Sequence, residues 1–213
     1  MTAAIVPTAR DREILLALVE KVRLLAQRQI AEHWWEGEIA NTRRRLKALM
    51  RAGLIERLTL PARTLPPIEA PVVTWKPDQP PPDFGRVAYQ LGHRWQRRAV
   101  RSASVVIATQ RAAQLFGGRA GGELKQPTQA THDLGVAALW LRLDQHAPAW
   151  AAAWRGEDNI AHTRRGEKLP DAFITGDAGQ TLWALEFGGS YDAARVREFH
   201  EDCAGRELPY QIW

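Results

Sequence analysis

Residues 38–58 read Glu38-Ile-Ala-Asn-Thr-Arg-Arg-Arg-Leu-Lys-Ala-Leu-Met-Arg-Ala-Gly-Leu-Ile-Glu-Arg-Leu58, and the fold of the front of the chain turns on them. Leu46, Leu49 and Met50 recur three and four apart, which puts them on one side of a helix, while Arg44, Lys47 and Arg51 recur on the opposite side. That spacing predicts a helix from Glu38 to Ala52, closed by Gly53, the residue type that most easily takes positive φ after a helix. Residues 54–60 then alternate as a strand does.

Upstream, Thr8 is placed to cap a helix that carries Asp11 and Glu13 in its first turn and Leu15, Leu18, Val19 and Val22 along one face. A shorter helix is expected over residues 27–34, ended by Gly37. Downstream, Val72-Val73-Thr74-Trp75 is the expected returning partner of the strand at 54–60, with residues 61–71 as the loop between them. Three helices followed by a hairpin is the arrangement of a winged helix-turn-helix, expected over residues 1–76. An α-helix fits the major groove, and the N-terminal residues of the recognition helix reach base edges. The expected contacts to double-stranded DNA are therefore Asn41, Thr42, Arg43, Arg44 and Arg45 on the recognition helix. Lys47 and Arg51 are expected on phosphates, with Arg57 and Arg63 along the wing. The alternative is a winged helix used for protein contacts, with the arginines as a solvated face.

Charge supports the first reading. Residues 1–119 hold 20 Lys and Arg against 10 Asp and Glu, whereas residues 120–213 hold 9 against 14. A basic front joined to an acidic back is the footprint of a nucleic-acid-binding module attached to something else. The only cysteine, Cys203, excludes an intramolecular disulfide and a zinc site built on several thiolates. No apolar run approaches the roughly 20 residues that span a bilayer, and residues 1–7 lack the layout of a secretory signal. These features predict a cytoplasmic protein with no membrane partner.

Residues 77–104 are expected to be a stiff Pro-rich linker followed by a basic segment, because Pro removes a donor and fixes φ. Arg94, Arg97, Arg98 and Arg101 surround Trp95 there, a composition suited to phosphate contacts or to a solvated helix face. Trp34, Trp75 and Trp95 are the tryptophans with candidate surface roles.

Residues 105–213 are expected to form a small α/β domain, making the chain α+β overall. A helix opens at Thr131-His132-Asp133-Leu134. Strands are expected at 168–174 and 181–187, joined at the turn 176–179. A helix follows over 192–203, and a last strand at 208–213. Each strand of the hairpin carries an acid, Asp171 after Pro170 and Glu186 fifteen positions later. This order resembles the restriction-endonuclease-like fold. Its Pro-Asp and Glu-x-Lys hold Mg2+ through carboxylate oxygens and orient water through the Lys. The Lys position holds Gly188, and Lys168 is the only nearby substitute. His132 is a third candidate ligand, although His132-Asp133 also suits a capping pair at a helix start.

The winged helix resembles the N-terminal part of the replication-relaxation family of plasmid and mobile-element proteins. So do Thr-His-Asp-Leu at 131–134, Leu-Pro-Asp-Ala at 169–172, Leu-Glu-Phe-Gly-Gly-Ser-Tyr at 185–191 and the terminal Leu-Pro-Tyr-Gln-Ile-Trp. The resemblance implies a DNA-binding protein of replication, relaxation or transfer, or of its transcriptional control. It further implies a nuclease-like second domain. Two readings follow. In one, the protein binds DNA without catalysis as a homodimer, its second domain dimerises or recruits replication or transfer partners, and no cofactor is needed. In the other, it is a nuclease that uses Mg2+ or Mn2+ on Asp171, Glu186 and His132, with Lys168 as auxiliary. Gly188 favours the first. A repressor with a ligand pocket in the second half is a third possibility.

Overall fold

In the computed structural model, residues 6–120, 129–160 and 169–213 are described. In chain order the first elements are α1 (Ala9–Leu16), running into a π-helical turn (Ala17–Lys21), then β1 (Leu25–Ala26), α2 (Gln27–Trp34), α3 (Ile39–Arg51) and β2 (Ile55–Arg63). There follow β3 (Val73–Trp75), α4 (Phe84–Arg94), β4 (Val100–Ala108), α5 (Gln110–Phe116) and α6 (Gln129–His146). The remainder is α7 (Pro148–Ala153), β5 (Trp154–Gly156), α8 (Glu157–Ile160), β6 (Ala172–Thr175), β7 (Thr181–Glu186), α9 (Ala193–Ala204) and β8 (Tyr210–Ile212). Helix and sheet are both substantial, and the class is α+β.

The chain divides into two units. Residues 1–63 and 100–141 make the first, and residues 64–99 and 142–213 make the second. The boundaries expected at 76/77 and 104/105 therefore fall elsewhere, because residues 64–99 leave the first unit from the end of β2 and return at the start of β4.

Local chemistry sets the elements of the first unit. The Thr8 hydroxyl accepts the N–H of Asp11, whose carboxylate accepts the N–H of Thr8 at 2.7 Å, a reciprocal cap on α1. The turn from α2 to α3 uses Glu36 and Gly37 at positive φ (50° and 87°). At the end of α3, Gly53 has φ 68°, its N–H reaches Met50 O, and Leu54 N–H reaches Leu49 O. These two bonds satisfy carbonyls that the helix leaves open. Leu46 and Leu49 are buried as expected, but Met50 is 39% exposed, so the inward stripe is narrower than its spacing suggests.

The three-stranded sheet has the order β1-β4-β2. β2 pairs antiparallel with β4 over nine positions, from Ile55↔Ala108 to Arg63↔Val100. This corrects the expected hairpin partner: Val73–Trp75 pairs instead with β8 in the second unit. The alternation of residues 54–60 identifies a strand but not its mate. The segment that intervenes before the mate is 36 residues long, from Thr64 to Ala99.

In the second unit the sheet order is β3-β8-β7-β6-β5, with β7 and β8 parallel and the other neighbours antiparallel. Trp75, Val87, Leu91, Phe173, Val196 and Tyr210 are among the residues that form its core. The expected hairpin at 168–187, the helix near 192–203 and the terminal strand are present as β6–β7, α9 and β8. Residues 76–83 are not a linker between units. Trp75 Nε1 donates to Gln79 O at 3.1 Å, Lys76 N–H donates to the Gln79 side chain at 3.1 Å, and Asp83 caps α4. Among the described residues, no helix is long and apolar enough to cross a membrane.

Candidate functional site

The nine expected DNA contacts, seven on α3 and two on β2, separate into two groups. Thr42 is fully buried, and its hydroxyl donates to Glu38 O at 3.0 Å. Arg45 donates through Nε to both Asp11 carboxylate oxygens at 2.8 Å, and Asp11 itself is fully buried. Burial works to raise the Asp11 carboxyl. Hydrogen bonds from Arg45 and Thr8 outweigh it and hold the group below the usual carboxylate value, while Arg45 is raised in turn. Arg45 thereby ties α3 to α1, while the buried Thr42 hydroxyl is satisfied beside its own helix, and both placements count against the two residues as DNA contacts.

The other members face outward. Arg43, Arg44, Lys47 and Arg51 are exposed, and among the described residues none of them makes an ion pair. Arg44 is steadied by Asn41, whose Oδ1 accepts from it at 3.0 Å. Asn41 and Arg44 also line a cleft of about 410 Å3 together with Thr8, Arg10 and Trp35. In the β2–β4 ribbon, Arg57 and Arg63 have the same parity as Thr59 and Pro61, so they share one exposed face. Glu36 and Glu38, both exposed in the turn before α3, make its very start acidic. The basic stripe accordingly begins at Asn41.

The tryptophans assigned to the surface are interior. Trp34, Trp75 and Trp95 are each buried, with indole N–H groups donated to Glu13, Gln79 O and Gly188 O. A tryptophan beside arginines gives no sign of direction until the helix phase is known.

In the second unit, hairpin pairing brings Asp171 and Glu186 together as expected. Both are buried, and both are engaged by the protein itself. Asp171 Oδ2 accepts Phe187 N–H at 2.6 Å, Glu186 Oε2 accepts Asp171 N–H at 3.2 Å, and Glu186 Oε1 accepts the Tyr191 hydroxyl at 2.6 Å. Burial, then the charges of Glu186 and Asp171, push the Tyr191 phenol well above its ordinary value. A phenol so held is a hydrogen-bond donor and not a nucleophile. Arg195 lies over its ring at 5.2 Å. Tyr191 and Arg195 were not expected as partners of the pair; the five-residue spacing from Glu186 to Tyr191 across a tight turn was the available signal.

Three of the four carboxylate oxygens of this pair thus accept a hydrogen bond from the protein's own backbone or from the Tyr191 hydroxyl. Among the described residues, no group of three or more His, Cys, Asp and Glu is placed to hold a metal. His132 lies on α6 in the first unit. The adjoining Asp133 is buried and ion-paired with Arg23 at 3.4 Å; His132 and Asp133 both lie inside α6, which already includes Gln129, and not at a helix start as expected. Lys168 lies outside the described residues. At Gly188 a Cβ would meet Leu91 Cδ2 at 2.5 Å, so a side chain there would require this buried leucine to shift. Burial pushes the Cys203 thiol up to about 12, leaving it unreactive near neutral pH.

With these sites described, comparison of the chain with protein-family models, with curated proteins and with solved structures gave no match.

Proposed function

We propose that this protein binds double-stranded DNA without cleaving it, using α3 as the recognition helix of a winged helix-turn-helix and the β2–β4 ribbon as its wing. The observation that carries this reading is the exposed stripe of Arg43, Arg44, Lys47 and Arg51 on α3, free of ion pairs among the described residues. Side chains of this type pair with guanine edges or phosphates, and unpaired cations on one helix face await an anion. The first unit, with 16 Lys and Arg against 9 Asp and Glu, supplies the attractive field. In this reading the Asp171–Glu186 pair fastens the β6–β7 hairpin to Tyr191. The motifs shared with the replication-relaxation pattern suggest a role on plasmid or mobile-element DNA, in the cytoplasm, as a homodimer serving replication or transfer proteins.

The test is fluorescence anisotropy on a labelled mixed-sequence duplex across a salt series. Affinity is expected to fall steeply with salt, the logarithmic slope being about −0.9 per phosphate contacted. Arg43→Ala combined with Arg44→Ala should weaken binding and flatten that slope; unchanged affinity would sink the assignment of α3. Supercoiled plasmid with Mg2+ or Mn2+ should stay intact, and nicking that Asp171→Ala abolishes would restore the nuclease reading.

A further inference from the structure

Taken as a whole, the second unit outside one segment carries a net negative charge. From Phe84 to Ala99 there are four arginines and no Asp or Glu, whereas elsewhere in the unit acids outnumber Lys and Arg by fifteen to nine. α4 turns this segment into a surface. Val87 and Leu91 are buried against the core, so Arg86, Tyr89, Gln90 and His93 fall on the opposite, exposed face, and Arg97 follows in the turn beyond it.

Two features of this face call for a polyanion. The guanidinium groups of Arg94 and Arg98 have only carbonyl partners: Arg94 donates to Pro67 O at 3.1 Å, and Arg98 donates to Leu65 O at 3.3 Å and Arg94 O at 3.1 Å. Among the described residues, no carboxylate pairs with Arg86, Arg94, Arg97 or Arg98. Burial and the charge of Arg98 both hold the Arg94 guanidinium below its usual value, the mark of positive charge without a counterion. The second feature is Tyr89, which is 70% exposed, a large ring area to leave in water. Its ring lies 6.0 Å from that of His93, inclined by 30°. Both rings border an open groove of about 570 Å3 whose other wall includes Pro67, Pro71 and Glu69. Glu69 is the one carboxylate lining that groove, and Arg94 lines it too.

We propose that this face of α4 binds single-stranded nucleic acid, its arginines taking phosphates while Tyr89 and His93 stack on unpaired bases. Phosphate contacts alone would need no aromatic ring, and an unpaired base offers such a ring its π-face without the cost of unstacking a duplex. The site is distinct from the α3 stripe and does not depend on the duplex reading.

The experiment uses the full chain, a fluorescein-labelled oligothymidylate of about 20 nucleotides (longer than the roughly 4–16 nucleotide sites common for such surfaces), and a mixed-sequence duplex of similar length. Tyr89→Ala is expected to weaken oligothymidylate binding about ten-fold, and Tyr89→Phe to restore it, because stacking and not the hydroxyl carries the contact. Arg86→Gln with Arg97→Gln should weaken it and flatten its salt dependence. Duplex binding should be unchanged in all of these, and Arg43→Ala with Lys47→Ala should do the reverse. All the altered positions are exposed, so the melting temperature should not move. Three results would overturn the proposal: no oligothymidylate binding by the unaltered protein, binding indifferent to Tyr89→Ala, or binding lost with the α3 variant alone.

Discussion

Gly188 stands so close to Leu91 that a Cβ built on it would lie 2.5 Å from Leu91 Cδ2 and 3.0 Å from Ile212 Cγ2. Its N–H donates to Trp213 O at 2.7 Å, and its carbonyl accepts the Trp95 indole at 3.2 Å. The backbone just after β7 thus runs against apolar side chains of α4 and β8. At the position that would carry the lysine of a nuclease motif, a side chain therefore requires the buried Leu91 to shift. Asp171 and Glu186 each accept a backbone N–H of the hairpin that carries them.

Replacing Gly188 should therefore damage the fold before it alters any chemistry. Gly188→Ala is expected to cost about 2 kcal/mol through overpacking, read from the midpoint of urea unfolding. Gly188→Lys should cost more, since it adds a cation to the same crowded site, and it should confer no Mg2+-dependent cleavage of supercoiled DNA. A stable Gly188→Lys protein that nicks plasmid would contradict the steric argument.

Tyr191 gives a second measure of the acidic pair. Removing its hydroxyl leaves the buried Glu186 carboxylate without that donor, a loss of about 2 kcal/mol for a bond to a charged group. The folded phenol is raised above its ordinary value near 10, by burial first and by Glu186 and Asp171 next. Its contribution to stability is thus present below about pH 10 and is lost as the pH rises beyond it. Tyr191→Phe should be less stable than the parent at pH 8 and lose less on going from pH 9.5 to 11. Tyr210, also raised by burial, keeps part of the alkaline loss in place. Parallel alkaline curves for parent and variant would remove Tyr191 from this account.

Helix positions were legible because capping chemistry and apolar spacing are local. Thr8 caps α1, Gly37 and Gly53 take positive φ where turns require it, and Asp192 caps α9. Strand partners were not legible. Val73–Trp75 has the apolar look of a returning strand, yet β2 pairs with β4 across the intervening residues 64–99, and no local signal encodes that choice. The same limit applies to the candidate site. Spacing sets Arg44 opposite the apolar face, but all three of Arg43, Arg44 and Arg45 suit a DNA contact by composition, and only the packing of α3 on α1 directs Arg45 toward Asp11. Asp171 and Glu186 were correctly paired because a hairpin forces that register. Their donors, Phe187 N–H and the Tyr191 hydroxyl, depend on how the chain leaves β7.

The Asp11–Arg45 pair separates stability from DNA contact on one helix. Asp11→Ala strands a partly buried guanidinium and is expected to cost about 3 kcal/mol. Because the Asp11 carboxyl is held below its usual value, its contribution is present above about pH 4 and disappears as the pH falls further. Arg45→Gln should lower stability comparably while leaving the salt slope of duplex binding unchanged, since the Arg45 guanidinium is held by Asp11. Lys47→Ala should do the opposite, reducing the slope by about 1 with little change in stability. A reduced slope for Arg45→Gln would return that residue to the interface.

His200 sets a separate acid limit, on the second unit. It is buried, its Nδ1 lies 3.1 Å from the Tyr210 hydroxyl, and its ring is edge-on to Trp75 at 4.9 Å and beside Phe84 at 5.4 Å. Burial lowers its affinity for a proton, against a smaller opposing pull from Glu201. Folding therefore keeps the ring neutral at pH values where the unfolded chain has already protonated it. The stability this contributes is present above about pH 6.5, the ordinary histidine value, and is lost as the pH falls from there toward the folded value. That window lies above the one set by Asp11, so the two are separable in a single acid titration. His200→Gln is expected to reduce stability at pH 8 by about 1–2 kcal/mol, through the lost packing and hydrogen bond. It should also flatten the decline between pH 6.5 and 5 while leaving the decline below pH 4 in place. Urea unfolding at each pH measures both effects, and an unchanged slope between pH 6.5 and 5 would mean that another group controls it.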